Sequence, residues 1–508
     1  MASALEFQQY PVATQDQVPV ITNWNPVIGY MVFQDDATTA SYYYYKIILE
    51  VRLDDATGTL IGKIKQRRNG YSVDVNDNKA RAFFDLRDIV NSQLVDTVFD
   101  QNQTGAPFET IHKLGGNTGV TAKIFSINGD RNTDRTQIQT IYVKAYQQYS
   151  EAADEIPQEI TTDTINNTRY WMAASLPLLT PRFETGTGLN ALYIQGEAFE
   201  KYQCNNQNDL FLSDVEKDLG VSEYGLSNEY VNYVQSDDYH TLGFLNDNAN
   251  FESEINYIWV TYYNSAGVVL GNVSIQNHAT NGGWIPDDSE GTADDKYRLL
   301  YVGVGPGNLE SSAVVATDSD DTASGNAKPS NYPTWAYYKV NGRTGAVGVG
   351  NTLKTSDYYF IKQDGSCKGF KIRRLGWRNS LGCYDYFNFK MKSSQTVEVS
   401  RDNYASMLGT FNASKFRYNN TQRGKKTRQT TAILKETLNT DWITETQANL
   451  IEKLIMSTDV YVIKNSDTTY TEPIMITDKS FVRKTSANDK LIQYTINIEY
   501  ANPINTNS

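Results

Sequence analysis

A chain of 508 residues is too long for one hydrophobic core, and roughly two to four domains are expected. Its 40% hydrophobic and 21% charged residues are ordinary for a globular protein, while a formal net charge of -13 argues against a general nucleic-acid binder. The 35 tyrosines, with many Asn and Thr, lean toward an all-β chain, and no apolar run approaches the length needed to span a bilayer.

Residues 1–23 are polar and patternless, with neither a basic start nor an apolar core, and read as an arm rather than a secretory signal. A first domain over 24–155 opens at Trp24-Asn25-Pro26. Strands are predicted at Val27–Phe33, at Tyr42–Leu53 with Tyr45, Ile47, Leu49, Val51 and Leu53 on one face, and at Thr59–Ile64 after a turn at Asp54–Gly58. Ala80–Phe84 leads into helical spacing over Asp85–Leu94, with Asp85 as its cap. Val120–Ile127 and Thr136–Tyr146 complete a unit expected to be an immunoglobulin- or fibronectin-like sandwich.

Pro157–Asn167 reads as a linker, and a second sandwich with long loops is expected over 156–350. Thr180–Phe251 is irregular and rich in Asn and Asp. Asn256–Tyr263, the turn Asn264–Gly267 and Val268–Val273 then repeat the plan of Tyr45–Leu53, Asp54–Gly58 and Thr59–Ile64, and Arg298–Gly305 stands where Arg81–Phe84 stood. The pattern is either an internal duplication or the likeness that any two β-hairpins share. Asp318–Asn326 is a small-residue polar loop.

A C-terminal β-rich domain with one packed helix is expected over 351–508. Its centre is Ser366–Lys392, where Phe370, Ile372 and Arg374 alternate with Lys371 and Arg373. Asn379 and Gly382 mark a turn, and Tyr384–Phe389 is apolar or aromatic on nearly both faces, so it should be covered on both. Trp377, Tyr384 and Phe387 are expected in the core. Thr396–Arg401 and Thr430–Leu438 are strands, and Thr444 with Gln447 caps a helix that presents Ala448, Ile451, Leu454 and Ile455 on one face. Val460–Ile463, Ile474–Ile476 and Leu491–Tyr500 end the domain.

Candidate chemistry is sparse. His112, His240 and His278 have no partner at metal-ligand spacing, and Cys204, Cys367 and Cys383 suggest buried reduced thiols rather than a disulfide framework. Gly303–Asn308 lacks the Lys-Ser/Thr pair of a phosphate loop, and the acidic clusters at Asp287-Asp288, Asp294-Asp295 and Asp318-Asp320-Asp321 lack the EF-hand register. No catalytic, metal or cofactor residue is assigned, and no enzymatic activity is expected. Between Lys362 and Arg428 basic residues outnumber acidic ones, and Arg417, Arg423, Lys425, Lys426 and Arg428 form the densest run. In so acidic a chain they are expected to meet an acidic face of a neighbouring subunit rather than nucleic acid.

Leu375–Phe387 resembles a segment of the virion structural proteins of tailed bacteriophages, as do Pro473–Phe481 and Tyr494–Tyr500. The likeness covers the last third of the chain, and the upstream sandwiches are loosely similar to the decoration modules such proteins carry. It implies a tail, baseplate, neck or ring part, assembled in the host cytoplasm into a symmetric oligomer with other virion proteins, and without enzymatic residues. The alternative expectation is an adhesin whose Tyr- and Trp-rich loops grip a host surface glycan.

Overall fold

The computed structural model describes residues 5–9, 20–21, 29–35, 42–67, 79–94, 125–126, 138–172, 201–202, 204, 206–220, 223–245, 255, 257–276, 299–310, 316–317, 328–344, 352–363, 369–417, 421, 424–463, 471–484, 492–502 and 505–507. They are mainly β, as the alternation of β-branched and aromatic residues with polar ones predicts. The chain divides into two compact units that interleave along the sequence. One comprises Met1–Asp214, Asp238–Lys362 and Asn379–Asp385; the other comprises Val215–Asp237, Gln363–Arg378 and Tyr386–Ser508.

In the first unit Tyr43–Leu53 lies between Leu60–Arg67 and Ile138–Ser150, all antiparallel. Ile47, Leu49 and Val51 sit opposite Gln147, Ala145 and Val143, and all six are buried, so the predicted face of this strand is a core face. Pro157–Asn167 is not a linker. Gln158–Met172 is one long strand on Ile138–Ser150, with Ile160 and Ile165 in register with Gln147 and Ala145. Its polar composition reflects a solvated position in the sheet, which a reading by composition takes for a loop. The expected helix is shorter than Asp85–Leu94, spanning Arg87–Asn91 behind Leu86, and Asp85 instead ends a strand while accepting the Arg87 backbone N–H at 3.1 Å.

The same unit contains a second antiparallel sheet in which Tyr257–Tyr263 lies between Val269–Gln276 and Tyr337–Arg343, with Tyr358–Lys362 beyond. Its register puts rings directly opposite one another. Tyr263 stacks on Tyr337 at 4.8 Å between centroids and Tyr338 on Phe360 at 4.9 Å, cross-strand pairs of the kind that fix a sheet's register. The hairpins at Tyr43–Arg67 and Tyr257–Gln276 share a further feature. Each has a register shift beside its turn, between Val51 and Arg52 in one and Tyr262 and Tyr263 in the other. The strand that follows each hairpin, Lys79–Asp85 or Leu299–Gly303, pairs in a separate three-stranded sheet.

The predicted turn at Asn379 and Gly382 is present. Asn379 Oδ1 accepts the backbone N–H groups of Leu381 and Cys383 at 3.1 and 2.9 Å, and Gly382 takes φ 82°, a value open to glycine at little cost. Cys383 packs so closely on Gly243 that a Cβ there would lie 2.3 Å from its sulfur.

In the second unit, one sheet runs in the order Tyr384–Phe389 (from Tyr386 onward in this unit), Arg373–Arg378, Val460–Ile463, Thr471–Ile476, Thr495–Tyr500, Lys425–Asn439, Ser394–Ala405. Arg373–Arg378 begins later than the alternation from Phe370 predicts, and Phe370 and Ile372 lie outside the ladder. The helix is Glu445–Met456, and both halves of its capping box are formed. Thr444 Oγ1 accepts the Gln447 N–H at 3.3 Å, and Gln447 Oε1 accepts the Thr444 N–H at 3.2 Å. Thr444 also donates to the buried Asp218 at 2.6 Å, tying the cap to a short strand at Lys217–Asp218. Ala448, Leu450, Ile451 and Leu454 join one core with Leu375, Trp377, Phe389, Ile496 and Ile498. Glu436 is a buried carboxylate of this unit. It accepts from Arg373 at 2.8 Å, Tyr500 at 2.7 Å and Gln395 at 3.1 Å.

Candidate functional site

The second unit's sheet ends in an unusual ribbon. Ser394–Ala405 is the edge strand, and all twelve of its residues are exposed. At ~3.3 Å per residue it runs for about 40 Å. Among the described residues its one ladder partner is Lys425–Asn439, from Ser394 opposite Thr437 to Ala405 opposite Lys425. On the far side of that partner, Thr495–Tyr500 covers Lys435–Asn439 and Asn505–Asn507 covers Thr430–Ala432. Lys425–Gln429 therefore has no third strand among the described residues. A smaller hairpin, Thr410–Asn412 with Lys415–Arg417, lies between the two ribbon strands in sequence and turns through Ala413 and Ser414, both with positive φ.

One face of the ribbon carries an apolar stripe. Val397 is opposite Leu434 and Val399 opposite Ala432, while Glu398 and Lys435 form an ion pair on the other face. Val397 is 52% exposed and Val399 42%. Toward the small hairpin Met407, Phe411 and Phe416 are exposed as well, Met407 and Phe411 by more than three quarters. Sequence reasoning found these strands but not their exposure, because alternation identifies a strand and not its place in the sheet. It missed the small hairpin because Ala413-Ser414 lacks the Asn or Gly that usually marks such a turn.

Four of the five cations singled out by sequence lie on described strands. Arg417 lies on the small hairpin, and Lys425, Lys426 and Arg428 lie on the ribbon, all exposed. Arg423 lies outside the described residues. None of the four forms a side-chain hydrogen bond or ion pair among the described residues. Elsewhere cations are engaged: Lys63 and Lys65 hold Glu159 at 2.8 and 2.7 Å, and Arg373 holds Glu436. The ribbon therefore presents positive charge and apolar surface together, and the outer edge of Ser394–Ala405 has no partner strand among the described residues.

The buried titratable groups serve the fold. In the first unit Asp385 is fully buried and accepts from Ser213 Oγ at 2.6 Å and from the Asp214 N–H at 2.8 Å. Burial, then the neighbouring Asp214 carboxylate, pushes Asp385 up to about 7 despite those hydrogen bonds. Asp214 in turn accepts from the Ser380 N–H and hydroxyl. The pair fastens the Asn379–Asp385 turn to Leu212–Asp214, and solvent does not reach Asp385. Among the described residues no group of three His, Cys, Asp or Glu is placed to hold a metal ion. His112, His278 and the three acidic clusters lie outside the described residues, as does Cys367; Cys204 and Cys383 are buried free thiols. No helix among the described residues is long and apolar enough to cross a membrane.

No protein-family model matches the chain, and no curated protein sequence is similar to it.

Proposed function

We propose that the protein is a structural component of a tailed-bacteriophage virion, a tail, baseplate or ring part that assembles into a symmetric oligomer through its basic ribbon. The observation that carries this reading is the exposure of Ser394–Ala405 on both faces and one edge over its whole length. A two-stranded ribbon is marginal in water, and a long edge strand with exposed apolar residues invites another chain. Proteins that stay monomeric shield such edges, so this one is built to be covered.

Charge favours a second copy of the same chain as the partner. The ribbon's exposed cations belong to a molecule of net charge -13, so the acidic surface they need lies elsewhere on an identical subunit. Contacts between unlike patches are head-to-tail and close into a ring when the rotation permits. The virion assignment itself rests on the likeness of Leu375–Phe387 and Pro473–Phe481 to such proteins, with the upstream sheets as immunoglobulin-like modules and the helix-bearing sheet as the ring-forming domain.

Native mass spectrometry at micromolar concentration and low salt tests the reading. A closed oligomer is expected, reduced to monomer by Lys425→Glu, Lys426→Glu and Arg428→Glu together. A monodisperse monomer of the unaltered chain, or assembly indifferent to the triple change, counts against it.

A further inference from the structure

The second unit contains a pocket distinct from the ribbon. It is a cleft of about 90 Å³ between the strand Glu229–Val234 and the segment that runs from Asp441 into the helix. That is well below the roughly 300–1,000 Å³ of sites for drug-sized ligands and below the ~150 Å³ that encloses a benzene ring, so a single small ring would sit partly in the cleft and partly over its open mouth.

Its lining is distinguished by hydrogen-bonding groups left unused. Asn232 is 5% exposed, and its Nδ2 has no partner. Tyr233 hydroxyl, the Gln363 side-chain amide and Trp442 Nε1 likewise have none among the described residues. Gln447 spends its Oε1 on the helix cap, which leaves its Nε2 free. A buried polar group in a folded protein is nearly always paired, so the unpaired Asn232 Nδ2 at the wall of a cleft marks a place where a ligand supplies the partner. Tyr233, Gln363 and Gln447, partly buried, with the exposed Trp442 add further open groups to the same lining. The walls are held in place beforehand. Ile443 is locked by two backbone hydrogen bonds to Ile492, both 2.9 Å, and Trp442 N–H is held by Asp441 Oδ1 at 2.8 Å.

The unused groups are amides, a phenol and an indole, and none is ionised. The lining's only charged side chains, Lys390 and Asp441, are of opposite sign, so the pocket offers no net attraction to a phosphate, carboxylate or ammonium group. What it offers is several neutral donors and acceptors beside aromatic surface. Trp442, 58% exposed at the rim, can lay its ring against the C–H face of a ligand whose edge carries hydroxyls. A ring with one apolar face and a rim of hydroxyl groups is a sugar. We propose that this pocket binds a single neutral pyranose, either as a free monosaccharide or as one ring of a glycan chain.

Saturation-transfer NMR on the full chain tests this, with methyl glycosides of glucose, galactose, mannose and N-acetylglucosamine, neutral oligosaccharides ending in the same rings, and glucose 6-phosphate as the charged comparison. The expected result is saturable transfer to at least one neutral methyl glycoside. Trp442→Ala and Gln363→Ala should each weaken that binding about tenfold, equivalent to about 1.4 kcal/mol. Melting temperature and oligomer mass should stay unchanged, which separates this outcome from any failure of the assembly reading. Tighter binding of the oligosaccharides identifies a glycan as the source, and equal binding identifies the free sugar. Absence of saturable transfer from every neutral sugar overturns the proposal. So does binding that survives both substitutions, or a preference for the phosphorylated sugar.

Discussion

Trp377 shows what one side chain contributes to the second unit. It is fully buried among Leu375, Val460, Val462 and Leu454, and its indole N–H has no partner among the described residues. Trp377→Ala should cost about 3–5 kcal/mol, seen as a lower denaturation midpoint. Trp377→Phe should cost much less, because it also removes an unsatisfied buried N–H. Asp385 makes a prediction of opposite character for the first unit. Its carboxyl is raised from 3.8 to about 7 on folding, so between those values the folded chain binds the extra proton. Stability should therefore fall as pH rises from about 4 through 7, and the loss should be complete above 7. Thermal melts across that range check the sign, and Asp385→Asn should flatten the slope.

At the scale of elements, Glu436 anchors the base of the ribbon. Burial pushes its carboxyl up, but hydrogen bonds from Arg373, Gln395 and Tyr500 outweigh that and hold it below the ordinary 4.5. Its contribution is complete above that value and is lost as pH falls through the folded one, so the second unit should weaken only in acid. Arg373→Met strands the carboxylate and should cost about 3–5 kcal/mol by denaturation. On the ribbon itself Val397→Lys with Val399→Lys should leave the melt within about 0.5 kcal/mol while weakening assembly. Normal assembly of that variant would mean that the apolar stripe stays uncovered. These elements were unequally legible in the sequence. The helix was readable because Thr444 and Gln447 bracket an apolar face, and the turn because Asn379 and Gly382 tolerate unusual backbone angles. The strand Gln158–Met172 was not, because Asn166, Asn167 and Thr168 resemble a loop by composition while their ladder partners, Lys144, Val143 and Tyr142, lie on the preceding strand. The saccharide pocket was invisible for a related reason: Asn232, Gln363 and Trp442 are scattered in sequence and meet only through the fold.

For the molecule as a whole, assembly through exposed cations should respond to ionic strength. Screening shortens to roughly 3 Å at 1 M salt, so the oligomer should dissociate as salt is raised if charge dominates, and persist if the apolar stripe does. Sedimentation at about 0.05 and 1 M salt, where the Debye length is above ~10 Å and ~3 Å respectively, separates the two. The closely packed thiols of the first unit carry a separate consequence. Cys204 is buried with its thiol pushed up by desolvation and by Asp209, and Cys383 is wedged against Gly243 within reach of Tyr301 Oη at 3.5 Å. A maleimide or disulfide reagent can reach neither without an opening fluctuation of the surrounding sheets. With Cys367→Ser as background, their labelling rates become clocks. Equal rates would mean that the unit opens as one cooperative body, and faster labelling of one thiol would locate its least guarded part.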